Sequence, residues 1–195
     1  MSDIPGYTLG TDVVPASPVT PADFAAMRDT ALFGDEDVRF LKMSAVVLED
    51  QIEDVLDVWY GFIGSQPHLV ADFVDTRTGK PSADYLGAVR RRFGQWIRDT
   101  ANAQYDAQWI AYQLEIGRRH HRVGKNLTDG VPSTPLVPFR HLLPILFPVL
   151  ATLRPFLAKK GHDADDVDGM ASAWQKSVLL QLALWSRAYI KDGDW

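Results

Sequence analysis

The chain has 195 residues, a length that suits one domain and can bury a sizeable core. Its residues are 46% hydrophobic and 23% charged, as in an ordinary soluble globular protein, and a net charge of −5 gives no electrostatic reason to expect nucleic acid. The lack of cysteine excludes disulfides, thiolate metal sites and haem attached covalently through C-x-x-C-H.

Residues 1–19 include Pro5, Gly6, Gly10, Pro15 and Pro18, which predicts an extended arm. Ile4, Tyr7, Leu9, Val13 and Val14 make that arm apolar enough to lie against the body. Met1–Gly10 has no apolar core of a secretory signal, so the expected location is cytoplasmic. Residues 20–195 read as a single domain. Thr20-Pro21 opens a short helix that Gly34 closes. Asp35–Gly64 repeats apolar residues at three- and four-residue steps, with a bend expected near Leu48–Gln51. Trp59 lies on its stripe and Tyr60 at the edge. They are either ordinary core or a pocket wall to which Tyr60 lends a hydroxyl. Ser65–Pro81 is a connection with a helical piece around His68–Phe73 and a turn at Thr78-Gly79-Lys80-Pro81, and no strand pattern is visible.

Ser82 caps a helix reaching about Asn102, with Tyr85, Leu86, Val89, Phe93, Trp96 and Ile97 on its apolar face. Arg90, Arg91 and Arg92 spread over about 200° of that helix and form no single basic surface. Arg91 points to solvent and Arg92 lies nearer the rim. The next helix is Tyr105–Arg122. At 100° per residue His120 falls within about 20° of Trp109, on the same face as Ile116 and Gln113, while His121 points elsewhere. An imidazole at the centre of an apolar face needs partners for its nitrogens. Two readings stay open: a core histidine bonded to a carbonyl, or an axial ligand to a metal or cofactor. After a polar loop at Gly124–Pro135, a helix over Leu136–Lys160 is expected to bend at Pro138, Pro144, Pro148 and Pro155. Its most apolar part, Leu142–Leu153, is shorter than the roughly 20 residues of a membrane span and reads as a core helix. Gly161 stops it. The last helix opens on the acidic turn Asp163–Asp166 and runs to about Ile190. Wide apolar stripes on this final pair suit a partner subunit or a single-chain core.

This order resembles an all-α globin fold carrying an N-terminal extension and an extra N-terminal helix. The closer resemblance is to the protoglobins, single-domain members of the globin-coupled-sensor lineage. It is carried by IPGYTLG at Ile4–Gly10, VLEDQIEDVLDVWYGFIGS at Val47–Ser65, YLGAVRRRFGQWIRDT at Tyr85–Thr100, YQLEIGRRHHR at Tyr112–Arg122, RPFLAKKG at Arg154–Gly161 and QLALWSRAYIKDGDW at Gln181–Trp195. The resemblance implies haem b, held without a covalent link, with His120 as the proximal iron ligand. It implies a distal pocket of Trp59, Tyr60 and Phe93, with Val89 where many globins place a distal histidine. Phe73, Ile63, Ile116 and Val149 match cavity-lining positions. Ile145 stands where the family usually carries phenylalanine, which bears on the volume and gating of the pocket. Pro138 and Pro144 are further departures. The family is dimeric through its last two long helices, and its haem lies beneath the N-terminal arm.

One protein ligand leaves the sixth position of a five-coordinate iron open to O2, CO or NO. His121, His68, His141 and His162 are set aside for that position by face or location. Tyr60 is the first choice to donate a hydrogen bond to the gas and the Trp59 indole N–H the second. Arg92 and Arg119 are either partners for the haem propionates or solvated charges. The functions expected are reversible gas binding for storage, sensing or scavenging, or a haem enzyme acting on NO, peroxide or nitrite. The absence of a distal His–Arg pair near Val89 argues against a peroxidase but leaves NO dioxygenation open. A signalling role would need a separate partner, since the chain ends at Trp195. A haem-free helical module remains only if the resemblance misleads. Neither nucleic acid nor a membrane is expected as a partner.

Overall fold

Four helices begin where the sequence offers a side-chain oxygen to the first free N–H groups. Thr20 accepts from Asp23 N at 3.1 Å, Ser82 from Tyr85 N at 3.4 Å, Asp106 from Trp109 N at 2.8 Å and Asp163 from Asp166 N at 2.8 Å. Each such cap stabilises its helix by about 1 kcal/mol. The computed structural model describes residues 4–195. The predicted arm begins at residue 1, and its first three positions lie outside the described residues. In order, the helices are α1 (Pro21–Thr30), α2 (Asp35–Leu48), α3 (Ile52–Gly64), α4 (Pro67–Val70), α5 (Ala83–Asn102), α6 (Ala107–His120), α7 (Phe139–Leu157) and α8 (Ala164–Ser186).

Several boundaries differ from those read off the sequence. α1 ends at Thr30, because Leu32 takes a left-handed backbone at φ 51°. Gly34 therefore does not close α1. It is the N-cap of α2, and its N–H donates to Asp37 at 2.8 Å. The expected bend is a 3-10 turn at Glu49–Gln51, where the buried Gln51 amide donates to Val47 O at 2.7 Å and to Phe156 O at 3.2 Å. α6 is shorter than predicted at both ends, and His120 is its last residue because His121 is extended. Pro138 precedes α7 as its N-cap, while Pro144, Pro148 and Pro155 lie inside it. α8 stops at Ser186, about a turn before Ile190.

A small antiparallel hairpin was not expected. Its strands β1 (Val74–Asp75) and β2 (Lys80–Pro81) pair in the register Val74↔Pro81 and Asp75↔Lys80, around a turn holding Gly79 at φ +69°. Two residues per strand are too few to show an alternating pattern. The polar loop after α6 docks on this hairpin through Thr76 N to Pro132 O at 2.8 Å and an Asp75↔Ser133 bridge.

The core forms where α8 is packed on α2, α6 and α7, with α5 and α3 completing it. Three of its indoles are tied to polar side chains. Trp174 Nε1 donates to Ser44 Oγ at 2.8 Å, Trp185 Nε1 to Gln113 Oε1 at 2.9 Å and Trp96 Nε1 to Gln181 Oε1. Helices α6 and α8 meet backbone to backbone at Gly117, where any Cβ would lie 2.6 Å from Trp185 O. Described residues of the N-terminal segment contact the body. Arg119 donates to Gly6 O at 2.6 Å and to Thr8 Oγ1 at 2.8 Å, and Tyr7 donates to Asp99 at 2.9 Å.

Length does not exclude α7 from a membrane, contrary to the reading of its apolar part alone. With its final 3-10 turn it spans Phe139–Lys160, 22 residues, and is apolar enough to cross one by length and composition. Here it buries Leu142, Leu146, Val149, Leu153, Phe156 and Leu157 in the protein, and exposes Leu143 and Phe147.

Candidate functional site

α3, α5, α6 and α7 enclose a cavity of about 300 Å³, in the range of sites for small molecules. The residues singled out from the sequence lie around it as follows. α3 contributes Trp59, Tyr60 and Ile63, and the turn after α4 contributes Phe73. Val89, Arg92 and Phe93 come from α5, Ile116 and His120 from α6, and Ile145 and Val149 from α7. The wall is aromatic around Phe93, whose ring centroid lies 4.8 Å from Trp59, 6.4 Å from Tyr60 and 5.3 Å from Trp96.

His120 Nδ1 lies 2.8 Å from Ile116 O. A carbonyl only accepts, so Nδ1 bears the proton and the lone pair sits on Nε2. Nε2 makes no hydrogen bond among the described residues. Trp185 stacks on the imidazole at 5.9 Å and 20° between planes. Burial holds this histidine below its ordinary pKa. The bond to Ile116 opposes that shift, and the nearby Lys125 charge adds to it. The ring is therefore neutral near pH 7. The carbonyl bond of the core reading accounts for Nδ1 alone.

Tyr60 is half-buried, but its hydroxyl oxygen is fully buried and has no hydrogen-bond partner among the described residues. Burial raises its pKa far above 10, so it stays an O–H donor. The Trp59 indole differs. Its Nε1 donates to Thr152 Oγ1 at 2.8 Å, so it is not free for a ligand as the sequence reading allowed. Arg92 and Arg119 are neither free nor solvated. Arg92 pairs with Asp129 at 2.7 Å and 3.0 Å and donates to Pro5 O, and Arg119 pairs with Glu115 at 3.0 Å as well as holding the arm.

His141, set aside by its position in the sequence, also lines the cavity. Its Nδ1 lies 3.1 Å from Asp72 Oδ2, and His68 packs edge-on against it at 5.3 Å. His121 instead packs on Tyr189, and His162 sits near Asp166. Lys125, Trp185 and Thr152 also line the cavity, and the sequence reading did not assign them to it. Two of them reach it from elements remote in the chain, and Lys125 comes from a loop without periodicity.

The donor set suits haem. Among the described residues no three His, Cys, Asp or Glu side chains converge on one point, so a metal held by side chains alone has no site there. A single oriented imidazole fits a metal that brings its other ligands with it, and the apolar wall fits a flat macrocycle.

No curated protein matches the chain. The globin domain of a Geobacter sulfurreducens globin-coupled sensor is similar in structure, with a TM-score of 0.67 at 18% sequence identity over 86% of this chain and 97% of that one. The family model described as Protoglobin matches residues 20–195. With a match over nearly its whole length and a globin domain as structural neighbour, this chain belongs to the protoglobin family of haem- and gas-binding globins.

Proposed function

We propose that the chain reversibly binds a diatomic gas, O2, CO or NO, at a five-coordinate haem b whose only protein ligand is His120. The observation that carries this reading is the imidazole itself: Nδ1 is fixed on Ile116 O at 2.8 Å, and Nε2 has no hydrogen-bond partner among the described residues beside the cavity. When bound, haem iron supplies the position at which a small gas coordinates. The chain's own groups do the rest. The bond to Ile116 and the Trp185 stack hold the ring plane. Phe93, Val89, Ile63, Phe73, Ile116, Ile145 and Val149 exclude water. Tyr60 presents a neutral O–H to a gas ligand with partial negative charge. Ile145 leaves more room on its side of the cavity than a phenylalanine would.

We also propose a homodimer formed through α7 and α8. The reading is supported by the exposed Leu143 and Phe147 on α7 and Leu179 on α8, which are 51%, 79% and 53% exposed.

A second reading is turnover of NO or peroxide. It draws on the Asp72–His141 pair, a carboxylate-oriented imidazole on the cavity wall that can hold a proton. Catalytic consumption of either substrate by the reduced protein would favour it.

Hemin titration tests the principal proposal. The wild-type chain is expected to take up a single hemin and, once reduced, to bind CO. His120→Ala should lose tight uptake, and added imidazole should restore it. A His120→Ala chain with unchanged uptake and ferrous spectra would sink the assignment.

A further inference from the structure

Lys125 lies in the loop after α6, yet only 6% of it is exposed, an unusual position for an ammonium. Four oxygens lie within hydrogen-bond distance of its three N–H donors: Asn126 Oδ1 at 3.0 Å, Tyr85 OH at 3.1 Å, Asp72 O at 3.2 Å and Ser133 Oγ at 3.3 Å. All four acceptors are neutral. Among the described residues no carboxylate comes within ion-pair distance of it. The two acidic groups that act on it from farther away are already engaged, Asp72 with His141 and Asp129 with Arg92. The result is a desolvated cation without a counter-charge. Burial accordingly pushes its pKa down to about 8.

The loop is shaped to keep it there. Asn126 adopts a left-handed backbone at φ 72°, and its Nδ2 is anchored on Ser133 O at 2.7 Å, which turns its Oδ1 toward the ammonium. Ser133 in turn donates to Asp72 O at 2.9 Å. A lysine that only needed burial of its stem would extend its head to water. This head is instead held at the cavity wall. Arg92 and Arg119, the other cations on that wall, have their charge balanced by Asp129 and Glu115.

We propose that the Lys125 ammonium is the receptor for a carboxylate of the haem in this cavity, the one lining cation whose charge no carboxylate among the described residues balances. This rests on the haem reading above. No bond to carbon is made or broken: the buried cation gains an anion, and the anion gains a partner in a site that excludes water.

Haem and haem dimethyl ester, which lacks both carboxylates, provide the test. Each is loaded into the wild-type, Lys125→Met and Lys125→Arg chains, and its transfer to an excess of apomyoglobin is timed. The wild type should release the ester about tenfold or more faster than haem, the factor expected of a charge-assisted hydrogen bond. Lys125→Met should release haem as fast as ester, and Lys125→Arg should keep the preference for haem. Retention of the ester by Lys125→Met at the wild-type rate shows that its fold is intact. Equal release of haem and ester by the wild type would overturn the assignment. So would a preference that persists in Lys125→Met, or one that vanishes in Arg92→Met alone. Uptake of neither compound by the wild type overturns the haem reading and this assignment with it.

Discussion

Removing one oxygen atom should have opposite effects on the empty and the loaded protein. In Tyr60→Phe the cofactor-free chain should become more stable, while the haem-loaded chain should release gas faster. The Tyr60 hydroxyl is shielded from solvent and has no partner among the described residues, and its ring is held by Phe93 and by the Arg90 guanidinium 5.5 Å above it. A buried hydroxyl left unsatisfied costs about 1–3 kcal/mol. Phenylalanine keeps the ring and loses only the oxygen, so a gain of about 1–2 kcal/mol remains after the small void is counted. For a chain of this size that raises the melting temperature by roughly 2–8 °C, measured by calorimetry on the cofactor-free protein. In the loaded protein the same change removes a hydrogen bond of about 0.5–1.5 kcal/mol to the gas, so O2 should leave roughly two- to tenfold faster in stopped flow. An ordinary core tyrosine would show neither effect. A cofactor-free Tyr60→Phe no more stable than wild type would mean that the hydroxyl is satisfied after all, and an unchanged release rate would remove it from the gas site.

The cofactor-free chain should also gain stability as pH rises from about 8 toward 10. Lys125 titrates near 8 when folded and near 10.5 when unfolded. The unfolded chain therefore binds more protons in that window, and stability climbs with pH by about 1–2 kcal/mol after screening through the cavity. Burial raises Tyr60 and Tyr105, so tyrosine ionisation in the unfolded chain adds to the opposite trend above about 10. Chemical denaturation at pH 8 and pH 9.5 reads the slope; a flat line in wild type, or an equal slope in Lys125→Met, contradicts it. For the dimer, Phe147→Lys should yield a monomer in sedimentation while changing subunit stability by less than about 0.5 kcal/mol, because the side chain is 79% exposed. A wild type that sediments as a monomer at micromolar concentration defeats that proposal.

What could be read from the chain followed the reach of each physical signal. Caps at Thr20 and Ser82 depend on neighbours three residues away, and both stand where they were expected, while Asp163, read as part of an acidic first turn, is the N-cap of α8. The 3.6-residue period brought Trp59, Phe93, Ile116 and His120 to inward faces before any helix was placed, and they line one cavity. Contacts between distant segments were not legible. The Trp59 indole is spent on Thr152, 93 residues away, and Arg92 on Asp129, 37 residues away. Nothing local distinguishes those partners from solvent. Lys125 was missed for a related reason: a polar loop offers no period, and this one is buried only because it docks on the β1–β2 hairpin, itself too short to announce itself.

The orientation of His120 is set by more than its own helix. Gly117 lets α6 approach the α8 backbone so closely that no Cβ fits between them. That approach brings the Trp185 ring onto the imidazole, and Trp185 is fixed in turn by its bond to Gln113, on the same helix as His120. The ring is thus held from Ile116 within α6 and from Trp185 across the helix pair. Either restraint alone leaves the imidazole free to pivot about the other. Together they fix the direction in which Nε2 can donate, which the proposed haem iron with its single protein ligand would require. His120 on an inward face is thus only half of the site, and the glycine three residues before it supplies the other half by admitting α8.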